Sequence, residues 1–348
     1  MLRTAATNIL GIKHPVILAG MDAVASPKLA AAVTNAGGLG VFGGVNYTPE
    51  AMREALAELK SNLDDKSAPF GVDLLIPQIG GSARKTNHDY SHGNLDELIT
   101  IIIESGAKLF VSAVGLPPKR IVDRLHDAGI LYMNMIGHPR HAQKAIDNGA
   151  DLLCAQGGEG GGHTGDIATV ILVPAVAKLI KGQKSAFTGR EVVLVAAGGL
   201  FNGQSLAAVL MLGASAAWVG TRFILAAESG ASKHHQETLK KSTFGDVIRT
   251  TAYTGRPCNV HASTYIRRWE EERRQEMLDL QAKGIIAVQH DLDTKPDDDE
   301  VLDNAHFMAM GRVAGLVDEV QPARRIVEDM VAEACTVLSK GQRMMEKL

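Results

Sequence analysis

Eight short apolar runs, at residues 16–18, 39–42, 70–75, 109–114, 130–136, 152–156, 192–197 and 216–220, punctuate the first two thirds of the chain. They read as near-continuous Val, Ile, Leu and Ala instead of alternating with polar residues, which is the pattern of parallel strands buried on both faces. Between them lie amphipathic stretches at 27–36, 49–59, 95–105, 118–128, 139–148 and 203–212. Several open on proline, whose fixed φ suits the first helical position, and several close on glycine, as at Gly106, Gly129, Gly149 and Gly213. Eight such repeats, each with a crossover long enough for a helix, predict a closed (β/α)₈ TIM barrel. An open doubly wound sheet is the alternative, because the pattern does not show closure.

A barrel predicts where a ligand would sit, at the C-terminal ends of the strands. Glycines gather at those ends: Gly20, Gly43 and Gly44, Gly115, Gly157 to Gly162, Gly198 and Gly199, and Gly220. The connection at 76–94 is long and is expected to overhang the same mouth as a lid or binding loop. The one at 181–190 belongs to the opposite rim and reads as a solvated turn. Three parts are expected: a barrel over 1–230, a mostly helical substrate-side or lid segment over 231–320, and a C-terminal helix over 321–348. In the middle part the pattern predicts a helix at 265–283, an acidic loop at 291–300 and a helical stretch at 301–316. The Arg and Glu residues at 267–274 read as a solvated face, and the last helix, with Ile326, Met330, Val331 and Cys335 on one side, is expected to dock on the barrel or on a subunit partner.

Composition narrows the class of ligand. The net charge of −3 without a basic, aromatic-interleaved stripe argues against nucleic acid and anionic membrane surfaces, leaving a small molecule. The three cysteines, Cys154, Cys258 and Cys335, are odd in number and far apart, which fits neither a disulfide framework nor paired metal ligands and suits a reduced cytoplasmic setting. The first residues carry no secretory pattern and no run of eighteen apolar residues occurs, so a soluble cytoplasmic monomer or homodimer is expected. No GxSxG elbow is present.

The stretch 155–166, AQGGEGGGHTGD, crowds glycine around one imidazole and points to a ligand approached closely by backbone. Gln156 and His163 are its polar handles, and His163 has the ordinary pKa of a general base near neutrality, against the plainer reading of an inert loop histidine. His88 and His92 are weaker candidates for substrate contact, and His234 and His235 read as surface. AAGGL at the seventh run and VGTRF at the eighth place Gly198, Gly199, Gly220 and Thr221 where barrels commonly bind phosphate; the plainer reading is that these glycines only permit tight turns.

With AGMDAV after the first run, AGGLGVFGG at the second and the three motifs just quoted, the chain resembles the nitronate monooxygenase family over residues 8–230. That family, formerly called 2-nitropropane dioxygenases, includes NAD(P)H-dependent quinone and enoyl-thioester reductases. The resemblance implies a noncovalent FMN, with Ala19, Gly20 and Met21 against the isoalloxazine, Gln156 at its edge, Gly161 and Gly162 beside it, and Gly198, Gly199, Gly220 and Thr221 on the phosphate. It makes His163 the catalytic residue for a small nitronate substrate and O2, with NAD(P)H reduction of a quinone or enoyl thioester as an alternative and a non-redox phosphate-binding barrel as another. No metal is expected. The chain departs from the family pattern at Asp73, where GVD replaces GVN beside the cofactor, and at Asn134 and Met135.

Overall fold

Each apolar run pairs with its spatial neighbours in one parallel sheet. The computed structural model describes residues 2–345. The barrel strands are β1 (Val16–Leu18), β2 (Gly40–Gly43), β3 (Phe70–Leu75), β4 (Leu109–Ala113), β5 (Leu131–Ile136), β6 (Leu152–Gln156), β8 (Val193–Ala197) and β9 (Ala216–Val219). The two-residue β7 (Gly162–His163) lies outside that sheet. The order is β1-β9-β8-β6-β5-β4-β3-β2, and a parallel bridge between Ile17 and Leu39 joins β1 back to the start of β2, closing the ring.

The alternation of strand side chains divides the core. Ile17, Val41, Val111, Met133, Cys154, Val195 and Trp218 fill the barrel interior, whose lower end is plugged by Leu10 of the short helix Ala5–Leu10. Neighbours of opposite orientation, such as Val16, Leu18, Val72, Leu153 and Leu194, pack outward against the helices. Both faces are therefore dry, which is why the runs are continuous.

The C-terminal helix Ala323–Met345 packs between the helices Pro27–Asn35 and Gly203–Met211, the place of the barrel's eighth helix. Ile326, Met330 and Val331 are buried there and Cys335 half-buried. Glu333 accepts from the Gly203 N–H at 2.7 Å and so caps the neighbouring helix. Residues 231–320 thus form an insertion between the last barrel strand and its helix. The end of the final helix expected beyond residue 345 lies outside the described residues.

The insertion differs from the expectation in four ways. It contains an antiparallel sheet, β10 (Val247–Thr250) and β11 (Cys258–His261), extended by β7 from the glycine stretch. The helix expected at 265–283 is two, Thr264–Glu271 and Arg274–Ala282, broken where Arg273 turns inward to lie over Trp269, 3.5 Å from the ring centroid, and to bond Asp291. The acidic loop is mostly helical: Asp291 falls inside Ala287–Thr294, and Asp298 caps Asp299–Asn304, where acidic residues complement the helix N-terminus. The stretch 301–316 is not continuous helix, because residues 308–311 run extended against β11 and return to the barrel mouth, where the Gly311 N–H donates to Thr221 Oγ1 at 2.9 Å.

The connection at 181–190 is more than a solvated turn. Ser185 is buried and donates to Asp151, whose second oxygen accepts from the Tyr132 N–H, and Phe187 stacks on His126 with centroids 4.3 Å apart.

Candidate active site at the barrel mouth

The strand ends open into a cavity of about 2420 Å³. Ala19, Gly20 and Met21 line it from the end of β1, Asp73 from β3, and Gln156 from β6. Gly161, Gly162 and His163 reach it from the glycine stretch, Gly198 and Gly199 from the end of β8, and Gly220 and Thr221 from the end of β9. The twelve residues expected for the cofactor and for catalysis therefore share one cavity. The loop at 76–94 covers part of it and is tied to the insertion by Arg256 to Asn87 (3.2 Å) and Lys85 to the Ala282 carbonyl (2.8 Å). His88 and His92 on that loop are exposed and do not line the cavity. His235, expected on the surface, is buried with its Nε2 3.1 Å from the Ala309 carbonyl oxygen, because residues 308–311 pack across its helix.

His163 is not in a free loop. Its strand β7 pairs with β11, His163 opposite Cys258, so the insertion fixes the backbone that carries it. Its Nε2 lies 3.0 Å from Thr254 Oγ1, and its ring faces Phe307 at 6.4 Å between centroids. Burial, with the nearby Arg256 guanidinium, lowers its pKa to about 4, so the imidazole is neutral at pH 7. A neutral imidazole at the mouth can accept a proton. Thr254, Arg256 and Phe307 carry no sequence signal for this role: each lies at least ninety residues from His163 and only the fold joins them.

Asp73 is buried, its Oδ1 has no hydrogen-bond partner, and burial holds its pKa well above the ordinary carboxylate range. Burial thus favours its protonated form at the cavity wall. Gly20 makes this possible, since a Cβ there would stand 2.4 Å from Asp73 Oδ2.

The turns after β8 and β9 have the form of an anion cradle. Gly198 and Gly199 adopt φ of +100° and +73°, a region that favours glycine. Among the described residues, the N–H groups of Gly199 and Gly220 donate to no acceptor in the chain. Glu159, which the sequence did not single out, accepts from the Thr169 N–H, and the Thr169 hydroxyl has its one proton to give to either Glu159 Oε2 at 2.9 Å or the Gly198 carbonyl oxygen at 2.8 Å. Ligand approach is only part of the reason for the glycine stretch. Gly161 abuts Gly311, Gly165 abuts the Gly137 carbonyl, and Asn259 donates to the carbonyls of Gly158 and Gly160 at 2.8 and 2.6 Å.

A closed (β/α)₈ barrel with a glycine cradle at its last two strands and a neutral imidazole over its mouth has the arrangement of a barrel enzyme that takes a phosphate-bearing ligand. Residues 3–333 match the family described as nitronate monooxygenase, and the chain belongs to that family. It is 30% identical over 367 residues, 96% of each chain, to an octahydro-1H-indene-4-carboxyl-CoA dehydrogenase of Rhodococcus jostii. It is 28% identical over 305 residues to a probable nitronate monooxygenase of Staphylococcus saprophyticus, covering 78% of this chain and 81% of that one. Among solved structures it superposes on nitroalkane oxidase from Streptomyces ansochromogenes with a TM-score of 0.79 at 26% identity, covering 97% and 99% of the two chains. FabK from Thermotoga maritima gives the same TM-score at 28% identity, covering 99% and 100%. The chain is an enzyme, a flavin-dependent oxidoreductase. No helix of the described residues is long and apolar enough to cross a membrane.

Proposed function

We propose that this enzyme holds FMN in the mouth cavity and oxidises an alkyl nitronate with O2, His163 removing the proton next to the nitro group when the neutral nitroalkane is presented. The residues fit the cofactor. The free N–H groups of Gly199 and Gly220, with Gly198 and the Thr221 hydroxyl, suit its phosphate. The Ala19, Gly20 and Met21 segment along the cavity wall suits a flat ring, and Gln156 and the unpartnered Asp73 Oδ1 offer polar contacts at its edge. When bound, FMN supplies the electron acceptor and the reaction with oxygen. The chain supplies the rest: His163 takes the proton, and the lid and insertion limit water around the anion produced.

The observation that carries this reading is the neutral imidazole of His163 lining the same cavity as the glycine cradle. His163→Ala should retain FMN while turnover of neutral nitroalkane falls by roughly two to four orders of magnitude, with preformed nitronate much less affected. Equal loss with both forms would remove the base from the mechanism. Anaerobic mixing with nitronate should bleach the bound flavin, and an unchanged spectrum would end the nitronate assignment.

A second reading, an acyl thioester of coenzyme A as substrate, is favoured by the cavity's cations. Arg84, Arg249 and Arg256 line it without a carboxylate partner among the described residues. The Rhodococcus jostii relative, similar along nearly the whole chain, is named for a carboxyl-CoA substrate. Anaerobic flavin bleaching by acyl-CoA but not by nitronate would select it, and bleaching by NAD(P)H alone would select the reductase alternative.

A further inference from the structure

The hydroxyl of Thr254 meets His163 and both backbone groups of Arg256, besides the Cys258 thiol, whose own proton goes to the Thr250 carbonyl oxygen, and the chemistry of the His163 and Arg256 groups decides which nitrogen of His163 is the base. Thr254 Oγ1 lies 3.0 Å from His163 Nε2, 3.1 Å from the Arg256 carbonyl oxygen and 3.3 Å from the Arg256 backbone N–H. A hydroxyl has one proton to give and two lone pairs to receive with. The Arg256 carbonyl can only accept, and the Arg256 N–H can only donate. If the hydroxyl proton goes to that carbonyl, both lone pairs are filled, one by the Arg256 N–H and the other by a proton on His163 Nε2. Every group is then satisfied. If the hydroxyl proton went to His163 Nε2, the Arg256 carbonyl would lose its donor.

We infer that Thr254 is the positioning residue of this site, fixing His163 as the Nε2–H tautomer and leaving Nδ1 as the proton acceptor. This inference rests on the reading of His163 as the base. Nδ1 makes no hydrogen bond to the described residues and is not sealed in the protein interior, and the imidazole lines the mouth cavity. In the step itself, Nδ1 takes the proton from the substrate carbon, the C–H electron pair stays on that carbon as the anion, and the imidazolium keeps its Nε2–H on Thr254. The retained hydrogen bond offsets part of the cost of forming a cation where burial and Arg256 both oppose it. The neighbouring Cys258 thiol, pushed up to about 12 by burial, stays neutral and adds no charge.

Thr254 lies between β10 and β11, so the insertion supplies the group that orients the base. A barrel carrying the glycine stretch alone would present His163 without a defined tautomer.

The test uses flavin-loaded enzyme with ¹⁵N-labelled histidine, His163 being assigned by the signal lost in His163→Ala. Nitrogen resonances at neutral pH should show a protonated Nε2 and an unprotonated Nδ1. Thr254→Val, which keeps the shape and removes the hydroxyl, should give a mixture of tautomers and lower kcat on neutral nitroalkane by roughly tenfold to a hundredfold, by analogy with partners that orient metal-bound histidines. Thr254→Ser should restore both the resonances and the rate, and Thr254→Val should slow preformed nitronate much less than neutral nitroalkane. A proton on Nδ1 in the wild type would overturn the inference, as would Thr254→Val resonances matching those of Thr254→Ser. Failure of the base reading looks different: His163→Ala would then slow neutral and anionic substrates alike, whatever the tautomer.

Discussion

The pH profile of deprotonation tests the electrostatics of this site most directly. His163 acts as a base only when neutral, so activity is present above its pKa and is lost as pH falls through it. An ordinary imidazole, with pKa about 6.5, would be only about 3% free base at about pH 5. Burial and Arg256 place His163 at about 4 instead, so about nine tenths is free base at about pH 5, a difference of roughly thirtyfold in competent enzyme. The assay is kcat/KM against pH for a neutral nitroalkane whose own ionisation lies above neutrality, with preformed nitronate as control. The acid limb should fall at about 4 or below, and Arg256→Met should move it upward but short of the ordinary value, since burial is the larger cause. His163→Ala should abolish it. A wild-type limb near the ordinary imidazole value, or one insensitive to Arg256, would refute the reasoning.

Three further outcomes follow from the geometry. Between the ordinary carboxyl pKa and its own raised one, native Asp73 keeps a proton the unfolded chain has lost; wild-type stability relative to Asp73→Asn should therefore fall by about 1.4 kcal/mol per pH unit as pH rises, read from denaturant midpoints at several pH values. Gly199→Ala puts a side chain at φ +73°, costing about 1–2 kcal/mol; if the turn relaxes to escape this, FMN affinity should weaken by roughly tenfold, measured by flavin fluorescence. Arg273→Met leaves the buried Asp291 with only Tyr265 and the more distant Lys295; unfolding free energy should drop by about 3 kcal/mol with FMN affinity unchanged.

Much of this protein was legible in its sequence for a specific reason. Strands buried on both faces must be apolar throughout, so the eight runs announced the barrel, and backbone that lies close to a ligand or adopts positive φ selects glycine, so AAGGL, VGTRF and the glycine stretch marked the mouth. Those signals are local: each needs only neighbouring residues to be read. What the sequence left unsaid depends on distant partners. Residues 231–320 gave no hint of a sheet because β10 and β11 are only four residues each, too short for a periodic signal, and β7, which extends them, comes from the glycine stretch some eighty-five residues before β10. The break at Arg273 and the burial of His235 follow from tertiary packing against Trp269, Asp291 and Ala309, which overrides helical periodicity. The same holds at the site. Residue type alone made His163 a candidate, but its protonation state comes from burial and Arg256, and its orientation from Thr254, ninety-one residues away. Electrostatics and hydrogen bonding act through space, so the fold, not the order of residues, sets what that imidazole can do.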